Sequence, residues 1–280
     1  MNKKNHVFKF LSCAALLFIF LRAAVYDDLI VRKYEVSTEL VTEPHTFVLL
    51  SDLHSTFYGD KQVKLISTIA KYSPEAILMT GDIADDKREF EGTSILLEKL
   101  SCCYPCYYVT GNHERWVDYT DDIKSLFRSY GIHVLDDTVS PVPVSGGEIS
   151  LFGVDDPLFY ADHAEYLKCL ENLSSSEETF DLLLAHRPEY YDAYTAAEFD
   201  LILCGHAHGG QIRIPFLMNG LYAPGQGYFP KYAGGIYEAA ENRIMIVSRG
   251  LMKDDLPRIF NPPEVCVIQI LPEQQKELMS

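Results

Sequence analysis

Short apolar runs alternate with amphipathic stretches along most of the chain. Continuous apolar runs of this length indicate buried strands, and we predict them at 46–50, 76–80, 107–110, 132–135, 149–154, 182–185, 201–204, 243–248 and 265–271. Apolar residues at helical spacing predict helices at 61–72, 89–100, 120–130 and 161–173. This alternation of strands and helices predicts an α/β fold, in which functional residues gather at the carboxyl ends of the strands.

The remaining segments carry weaker patterns. Residues 27–44 are predicted to be a linker, 136–148 to form turns, and the stretch after Gly209 to be a loop rich in Gly and Pro. One domain is expected at 45–271, because α/β folds of roughly 200 to 250 residues often form a single core. Residues 272–280 are assigned to a C-terminal tail.

The N-terminus, residues 1–26, holds an uncharged apolar run from Phe10 to Leu21, with lysines before it and Arg22 after it. The run alone has the length of a signal-peptide core, whereas 7–26 approaches the roughly 20 residues that a spanning helix needs. No small-x-small cleavage site follows, so an uncleaved anchor is favoured over a cleaved signal. The lysines place the N-terminus in the cytoplasm and the domain at 45–271 outside it.

Composition narrows the class of protein. Hydrophobic residues make up 48% and charged residues 23%, which is typical of a globular domain. The formal net charge of −16 argues against nucleic acid as a general partner, because phosphate backbones are bound through clustered Lys and Arg. A domain with this charge can still bind an anionic substrate where metal ions dominate the local field.

Polar residues with metal-ligand chemistry follow five of the predicted strands, and they are Asp52, His54, Asp82, Asn112, His186, His206 and His208. If the backbone stays extended, alternation points Asp52 and His54 the same way, and likewise His206 and His208. Two carboxylates, an amide and four imidazoles suit Mn, Fe, Zn or Co better than Ca. Seven ligands exceed the needs of one ion, so we predict two ions that share a bridging carboxylate.

These motifs resemble the calcineurin-like metallophosphoesterase superfamily. The resemblance is carried by DLH at 52–54, GDIAD at 81–85, GNHE at 111–114, His186 and GHAH at 205–208. Three further segments are similar to its membrane-anchored YkuE/YaeI-like branch, namely HGGQIRIP at 208–215, SRGL at 248–251 and RIFNPPE at 258–264.

The resemblance implies a four-layer α/β/β/α sandwich with two mixed sheets, preceded here by the apolar N-terminal helix. It places one divalent ion on Asp52, His54, Asp82 and His208, and the other on Asp82, Asn112, His186 and His206. It makes His113 the general acid or transition-state stabiliser. Beside these residues, Asp85 is expected either to orient a ligand histidine or to cap a turn, and Arg187 and Arg249 either to contact phosphate or to form ion pairs.

The function that follows is a dinuclear, metal-dependent phosphoesterase acting on phosphodiesters or pyrophosphate bonds. The apolar N-terminus suggests substrates related to the membrane or envelope, including lipid-linked phosphoesters. A phosphomonoesterase is the alternative within the same class. A non-catalytic metal-binding scaffold on the same fold is the alternative from another class, and the intact ligand set argues against it.

Overall fold

Two six-stranded sheets and seven helices make up the computed structural model, which describes residues 3–116, 120–145, 147–173, 179–238, 243–253 and 257–273. The helices are α1 (Lys3–Ala24), α2 (Val63–Ala70), α3 (Glu91–Ser101), α4 (Asn112–Trp116), α5 (Thr120–Ser129), α6 (His163–Asn172) and α7 (Tyr191–Ala196). The C-terminal tail falls outside the described residues from 274 onward.

The first sheet has the strand order β1-β14-β2-β3-β4-β5. Its strands are β1 (Ile30–Thr38), β2 (His45–Leu50), β3 (Ala76–Thr80), β4 (Cys106–Val109), β5 (His133–Val134) and β14 (Glu264–Pro272). Strands β2 to β5 run parallel to one another, whereas β14 is antiparallel to β2. The parallel arrangement brings the carboxyl ends of β2, β3 and β4 to one edge of the sheet.

The second sheet has the order β12-β13-β9-β8-β7-β6. Its strands are β6 (Thr138–Val144), β7 (Gly147–Gly153), β8 (Phe180–Leu184), β9 (Leu201–Cys204), β12 (Gly235–Glu238) and β13 (Ile244–Val247). Strands β7, β8, β9 and β13 are parallel, while β6 and β12 are antiparallel edges. A separate hairpin pairs β10 (Tyr222–Ala223) with β11 (Gly227–Tyr228).

Three apolar clusters hold the layers together. The central cluster joins the facing sides of the two sheets, for example Leu78 of β3 and Leu182 of β8. A second cluster packs the other face of the first sheet against α2, α3 and α5, and a third packs the second sheet against α6 and α7. Side chains alternate between faces along each strand, so Leu182 lies in the central cluster and Leu183 in the outer one. The chain therefore has the four-layer order of two mixed sheets between helices.

The structure adds strands that the apolar pattern did not predict. The expected linker 27–44 contains β1, which pairs with β14 over nine residues. The expected turns at 136–148 contain β6, which pairs with β7 over seven. Both are edge strands with polar, half-exposed residues, and β6 carries Pro141 and Pro143, which an edge strand accommodates. Short strands β10, β11 and β12 also lie in the segment expected to be a loop.

The apolar N-terminal segment forms the expected helix, α1. Its last residue, Ala24, is buried, and the carbonyl of Ala24 accepts a hydrogen bond from the backbone N–H of Phe260. Across the described residues, no helix combines the length and the apolarity needed to cross a membrane. The prediction of a membrane-spanning anchor is therefore not supported.

Candidate metal centre

The seven predicted ligands lie together where the carboxyl ends of both sheets meet. Four of them come from loops after strands of the first sheet, and three from loops after β8 and β9 of the second. All are buried except His208, whose side chain is 14% exposed. Among the described residues, three groups of side chains could hold a metal ion, and one of them is His54, Asp85 and His113. We call the other two the first group (Asp52, His54, Asp82, His208) and the second group (Asp82, His186, His206, with the amide of Asn112 beside them).

In the first group the imidazoles face carboxylates. The Nε2 atom of His54 lies 3.7 Å from Oδ2 of Asp82. The Nε2 atom of His208 lies 3.8 Å from Oδ1 of Asp52. These separations exceed hydrogen-bond length, and the His54 Nε2 and Asp82 Oδ2 atoms are buried without a hydrogen-bond partner. A buried nitrogen and a buried oxygen that lie this far apart and have no hydrogen-bond partner could both coordinate a metal ion placed between them.

In the second group the contacts are closer. The Nε2 atom of His186 lies 3.2 Å from Oδ2 of Asp82 and 3.3 Å from Oδ1 of Asn112. The Nδ1 atom of His206 lies 3.1 Å from the same His186 nitrogen. The side chains of Asp82, His186 and His206 and the amide oxygen of Asn112 therefore converge on one point. In their neutral form, the two imidazoles could bind a cation there through a nitrogen lone pair.

Asp82 belongs to both groups. Its Oδ2 atom faces His54 on one side and His186 on the other. Its Oδ1 atom accepts a hydrogen bond from the backbone N–H of His113. One carboxylate thus lies between the two candidate positions, which is the arrangement that the resemblance implies.

Five of the fifteen non-glycine residues with positive φ among the described residues are candidate ligands, namely Asp52, His54, Asp82, His206 and His208. The backbone at these strand ends is therefore left-handed, and the expectation of extended backbone is wrong. Such conformations have a cost and concentrate at functional sites. Asp52 and His54 still share a group, but His206 and His208 fall into different ones.

Glycines let the ligand loops approach one another. A Cβ on Gly111 would overlap the carboxylate of Asp82, and a Cβ on Gly205 would overlap the hydroxyl of Ser51 and the carboxylate of Asp52. The backbone of the loops after β4 and β9 therefore packs directly against side chains of the loops after β3 and β2. Any larger residue at either position would push two ligands apart.

Asp52 also links the two sheets. Both of its carboxylate oxygens accept from the backbone N–H of His206, at 3.0 and 3.1 Å. The carboxylate thus fixes the start of the loop that carries His206 and His208.

The imidazoles titrate differently because their surroundings differ. Although burial opposes its charged form, the neighbouring Asp82 carboxylate raises the pKa of His186 to about 10. Burial, with the positive charge of His186, holds the pKa of His206 well below its usual range. Burial likewise lowers the pKa of His208 to about 4. Without a cation, the second group therefore keeps one proton on His186.

Hydrogen bonds fix two of the ligand imidazoles. Nδ1 of His54 pairs with Oδ2 of Asp85 at 2.9 Å, and Nδ1 of His186 donates to the carbonyl of Thr80 at 2.6 Å. Asp85 also accepts from the backbone N–H groups of Lys87 and Arg88, so it both orients a ligand and caps a turn. Against its burial, the bond to His54 lowers the pKa of Asp85 to about 2. Both pairings use Nδ1, so Nε2 of each imidazole faces the other candidate ligands, His54 toward Asp82 and His186 toward Asp82 and Asn112.

The carboxylate of Glu189 lies near the imidazole of His206, and the sequence did not predict this contact. Its Oε1 atom lies 3.8 Å from Nε2 of His206, and its Oε2 atom is buried without a hydrogen-bond partner. A Cβ on Gly225 would overlap this carboxylate, so the neighbouring loop presses closely on it. The only sequence signal is the position of Glu189 three residues after His186.

His113, the predicted catalytic residue, lies on the solvent side of the first group. Its side chain is 20% exposed, and its ring meets that of His54 edge-on at 4.4 Å. Nδ1 of His113 pairs with Oδ1 of Asp86 at 2.6 Å, a partner that the sequence interpretation missed. The ring of Trp116 lies 4.8 Å away and limits the space on that side. This imidazole is therefore oriented while remaining accessible.

Glu114 holds two ligand loops in place. Its carboxylate accepts four backbone N–H groups, those of Asp82, Ile83, Ala84 and Gly111, at 2.8 to 3.0 Å. The side chain is fully buried, and burial together with Asp82 raises its pKa to about 7. Glu114 therefore fixes the loops after β3 and β4 relative to each other and does not face the metal positions.

The two arginines considered for phosphate contact form ion pairs. Arg187 makes two hydrogen bonds to Asp156, at 2.6 and 3.1 Å. Arg249 lies 3.4 Å from Glu264 and is buried. The ion pairs expected for these residues are therefore present, and contact with phosphate stays a prediction.

Comparisons with known proteins agree with this geometry. The family described as calcineurin-like phosphoesterase matches residues 45–210. The chain is 30% identical to the uncharacterized metallophosphoesterase YkuE of Bacillus subtilis, over 85% of this chain and 84% of that protein. It is 29% identical to phosphodiesterase YaeI of Escherichia coli, over 81% of this chain and 83% of that one. The chain belongs to the calcineurin-like phosphoesterase family.

Proposed function

We propose that the chain is a hydrolase that uses two divalent metal ions, Mn, Fe or Zn, to cleave phosphodiester or pyrophosphate bonds. One observation carries the proposal: the Asp82 carboxylate lies between two converging groups of buried donor atoms. Two positions that share a carboxylate suit an in-line displacement at phosphorus, since both attacking and leaving oxygens then lie beside a cation.

Bound ions would supply a hydroxide nucleophile at neutral pH and would neutralise charge on the phosphoryl oxygens. The chain's own residues do the rest. Asp52, His54, Asp82 and His208 would hold the first ion, and Asp82, Asn112, His186 and His206 the second. The four imidazoles must be neutral to ligate, and the amide is neutral, so only Asp52 and Asp82 offset the charge of the ions. The occupied site would be positive and would attract a phosphate despite the net charge of −16.

His113 would donate the proton to the leaving oxygen. Its Nδ1 atom is committed to Asp86, which leaves Nε2 as the donor. The contact with Asp86 orients the ring, and the partial exposure lets a substrate reach it. General acid catalysis of this kind contributes about 10²- to 10⁴-fold.

Diester substrates are favoured over monoesters by one relative, which bears the name phosphodiesterase. The apolar helix α1 supports a substrate that is related to the membrane or envelope. We extend the proposal to attachment of the chain to a membrane through α1, with the catalytic domain outside the cytoplasm. In cells that express the chain, it should sediment with membranes, and protease added outside should digest it; protection of the domain would contradict this orientation.

The activity test compares bis(4-nitrophenyl) phosphate with 4-nitrophenyl phosphate, using the full chain with Mn²⁺, Zn²⁺ or a chelator. We expect turnover of the diester that the chelator abolishes. A chain with confirmed bound metal that hydrolyses neither compound would contradict the enzymatic proposal, and one that prefers the monoester would correct the substrate class.

The role of His113 is tested with a leaving-group series in the His113→Gln variant. We expect a loss of about 10²- to 10⁴-fold with a poorly acidic leaving alcohol and a much smaller loss with 4-nitrophenol, which needs no proton. An equal loss for both leaving groups would exclude proton donation by this residue.

A further inference from the structure

A protrusion rises next to the candidate metal centre. The chain leaves Gly210, two residues after His208, and returns at Leu221, whose backbone N–H donates to the carbonyl of Gly210. Ile214 and Met218 exchange two backbone hydrogen bonds, at 2.8 and 2.9 Å, and so close a tight turn at the tip. Six residues of chain reach roughly 20 Å at most, so the tip at Phe216 stays near the metal positions.

The tip is apolar and exposed. Phe216 reaches 108% of the exposure of a free side chain, and Leu217 reaches 84%. Phe216 also has a φ of 67°, a conformation that bulky residues rarely adopt. In the isolated chain, Phe216 is therefore exposed to water and has an unfavourable backbone conformation. Such an arrangement is expected where the side chain is covered by another surface when the protein functions.

Further apolar side chains extend this surface. Next to the protrusion, the β10–β11 hairpin and the residue after it expose Tyr222, Tyr228 and Phe229, and the two tyrosine rings pack edge to face at 5.4 Å. We call the six exposed residues the apolar rim, and they are Ile214, Phe216, Leu217, Tyr222, Tyr228 and Phe229. A band of Phe, Leu and Tyr is the composition found where proteins meet the lipid interface.

Helix α1 ends beside the base of the protrusion. Ile259 pairs with the protrusion through Ile212, and the next residue, Phe260, bonds to the end of α1 and packs its ring 5.2 Å from that of Phe20. Of the 22 large apolar side chains that the described residues leave exposed, 16 lie at 10–26 or in the apolar rim. The two exposed apolar regions are thus joined by a single short segment.

The pattern on α1 identifies what covers these regions. Six consecutive residues, 16–21, are each between 53% and 66% exposed, and at 3.6 residues per turn they cover every side of the helix. A protein groove would cover one side of a helix, which would then be amphipathic. An environment that is apolar all round is lipid.

We propose that the apolar rim and α1 enter the same lipid bilayer surface, so that the candidate metal centre works beside the lipid headgroups. The rim is then a second membrane contact, independent of α1, and it orients the site toward the bilayer. Resting on the proposed function, this specifies the substrate class: an amphipathic phosphoester whose acyl portion stays in the membrane while its phosphate reaches the ions.

The test uses the single tryptophan of the chain. In the full chain, Trp116→Phe removes it, and Phe216→Trp places a new one at the tip. Phosphatidylcholine vesicles with brominated acyl chains quench only tryptophans that enter the apolar layer. We expect at least half of the emission from the tip tryptophan to be lost. The matched control is Val139→Trp in the same background, because Val139 is 53% exposed on edge strand β6, and it should lose less than a tenth.

Three results would overturn the proposal. If the chain binds vesicles but the emission of the tip tryptophan is not quenched, α1 is the only membrane contact. If the chain does not bind vesicles at all, neither α1 nor the apolar rim contacts the membrane. Emission from the tip tryptophan that shifts with protein concentration in the absence of vesicles would instead assign the rim to a second copy of the chain. Turnover of the soluble diester by the unsubstituted chain without vesicles is measured in parallel, and its absence would contradict the proposed function while leaving the quenching result intact.

Discussion

The first and second ligand groups share Asp82 but differ in charge and in support. The first group adds a second carboxylate, Asp52, and its His54 is fixed by the carboxylate of Asp85. The second adds the neutral amide of Asn112, and its His186 is fixed by a backbone carbonyl. In the metal-free site the first group therefore carries excess negative charge, whereas in the second the proton on His186 balances the shared carboxylate.

This difference indicates that two ions would be held by different means. Two carboxylates would attract a cation to the first group over some distance. In the second group a cation would have to displace a proton and would rely on close, pre-oriented neutral ligands. We expect the two groups to respond unequally to the same kind of substitution, except where the substitution removes what they share.

The largest effect is expected from Asp82→Ala. Because this carboxylate lies between both positions, its loss should remove both ions and lower diester turnover by about a thousandfold or more. Metal content by mass spectrometry and activity are the measurements. Asp192→Ala, at an exposed carboxylate on α7, serves as the control. Retention of one tightly bound ion in Asp82→Ala would contradict the shared role.

A matched pair of substitutions should separate the groups. Asp52→Asn removes charge from the first group alone, and Asn112→Ala removes an oxygen donor from the second alone. Each should reduce the metal content from two ions to one and lower turnover by roughly a hundredfold or more. The coupled electron paramagnetic signal of a Mn²⁺ pair should disappear in both variants. Loss of both ions from either variant would show that the positions do not fill independently.

The sequence was sufficient for the chemistry of this site but not for its surroundings. The ligands directly follow strong apolar strands, so their position is encoded within a few residues. Their division between two ions came from the family resemblance, because simple alternation would have kept His206 and His208 together. Asp86 and Glu189 follow no pattern, since they meet their histidines only after separate loops fold. Strands β1 and β6 were missed because edge strands carry polar, half-exposed residues.

Metal loading should release a proton from the second group. The pKa of His186 is raised to about 10 in the metal-free site, so the imidazole is protonated at pH 7.5, and a ligand must be neutral. Affinity at this position should therefore rise about tenfold for each pH unit up to about pH 10. Calorimetry of the His208→Ala variant in two buffers of different ionisation enthalpy counts the proton. This variant removes a first-group ligand but keeps the Asp52 carboxylate, which contributes to the raised pKa of His186. Zero release at pH 7.5 would contradict the assigned charge.

The smallest effects on metal binding are expected from substitution of the carboxylates that lie next to ligand imidazoles, Asp85 beside His54 and Glu189 beside His206. Asp85→Asn replaces the partner of His54 and should weaken metal binding in the first group by about 10- to 100-fold, as is usual for such supporting residues. Glu189→Gln should weaken the second group less, because Glu189 lies 3.8 Å from His206, against 2.9 Å between Asp85 and His54. Competition with a chromophoric chelator gives both constants.

These two variants also test whether support, and not only charge, distinguishes the groups. Both substitutions keep the size of the side chain and remove one negative charge near one imidazole. If charge alone mattered, the two substitutions would lower metal affinity equally once the distances are taken into account. Both reductions in affinity would then become smaller at high salt concentration. If orientation matters, Asp85→Asn should weaken the first group at every salt concentration, because the amide holds His54 less firmly than the carboxylate does. The His54 imidazole of the first group would then depend on the side chain of Asp85. The His186 imidazole of the second group depends instead on the backbone carbonyl of Thr80, which no side-chain substitution removes.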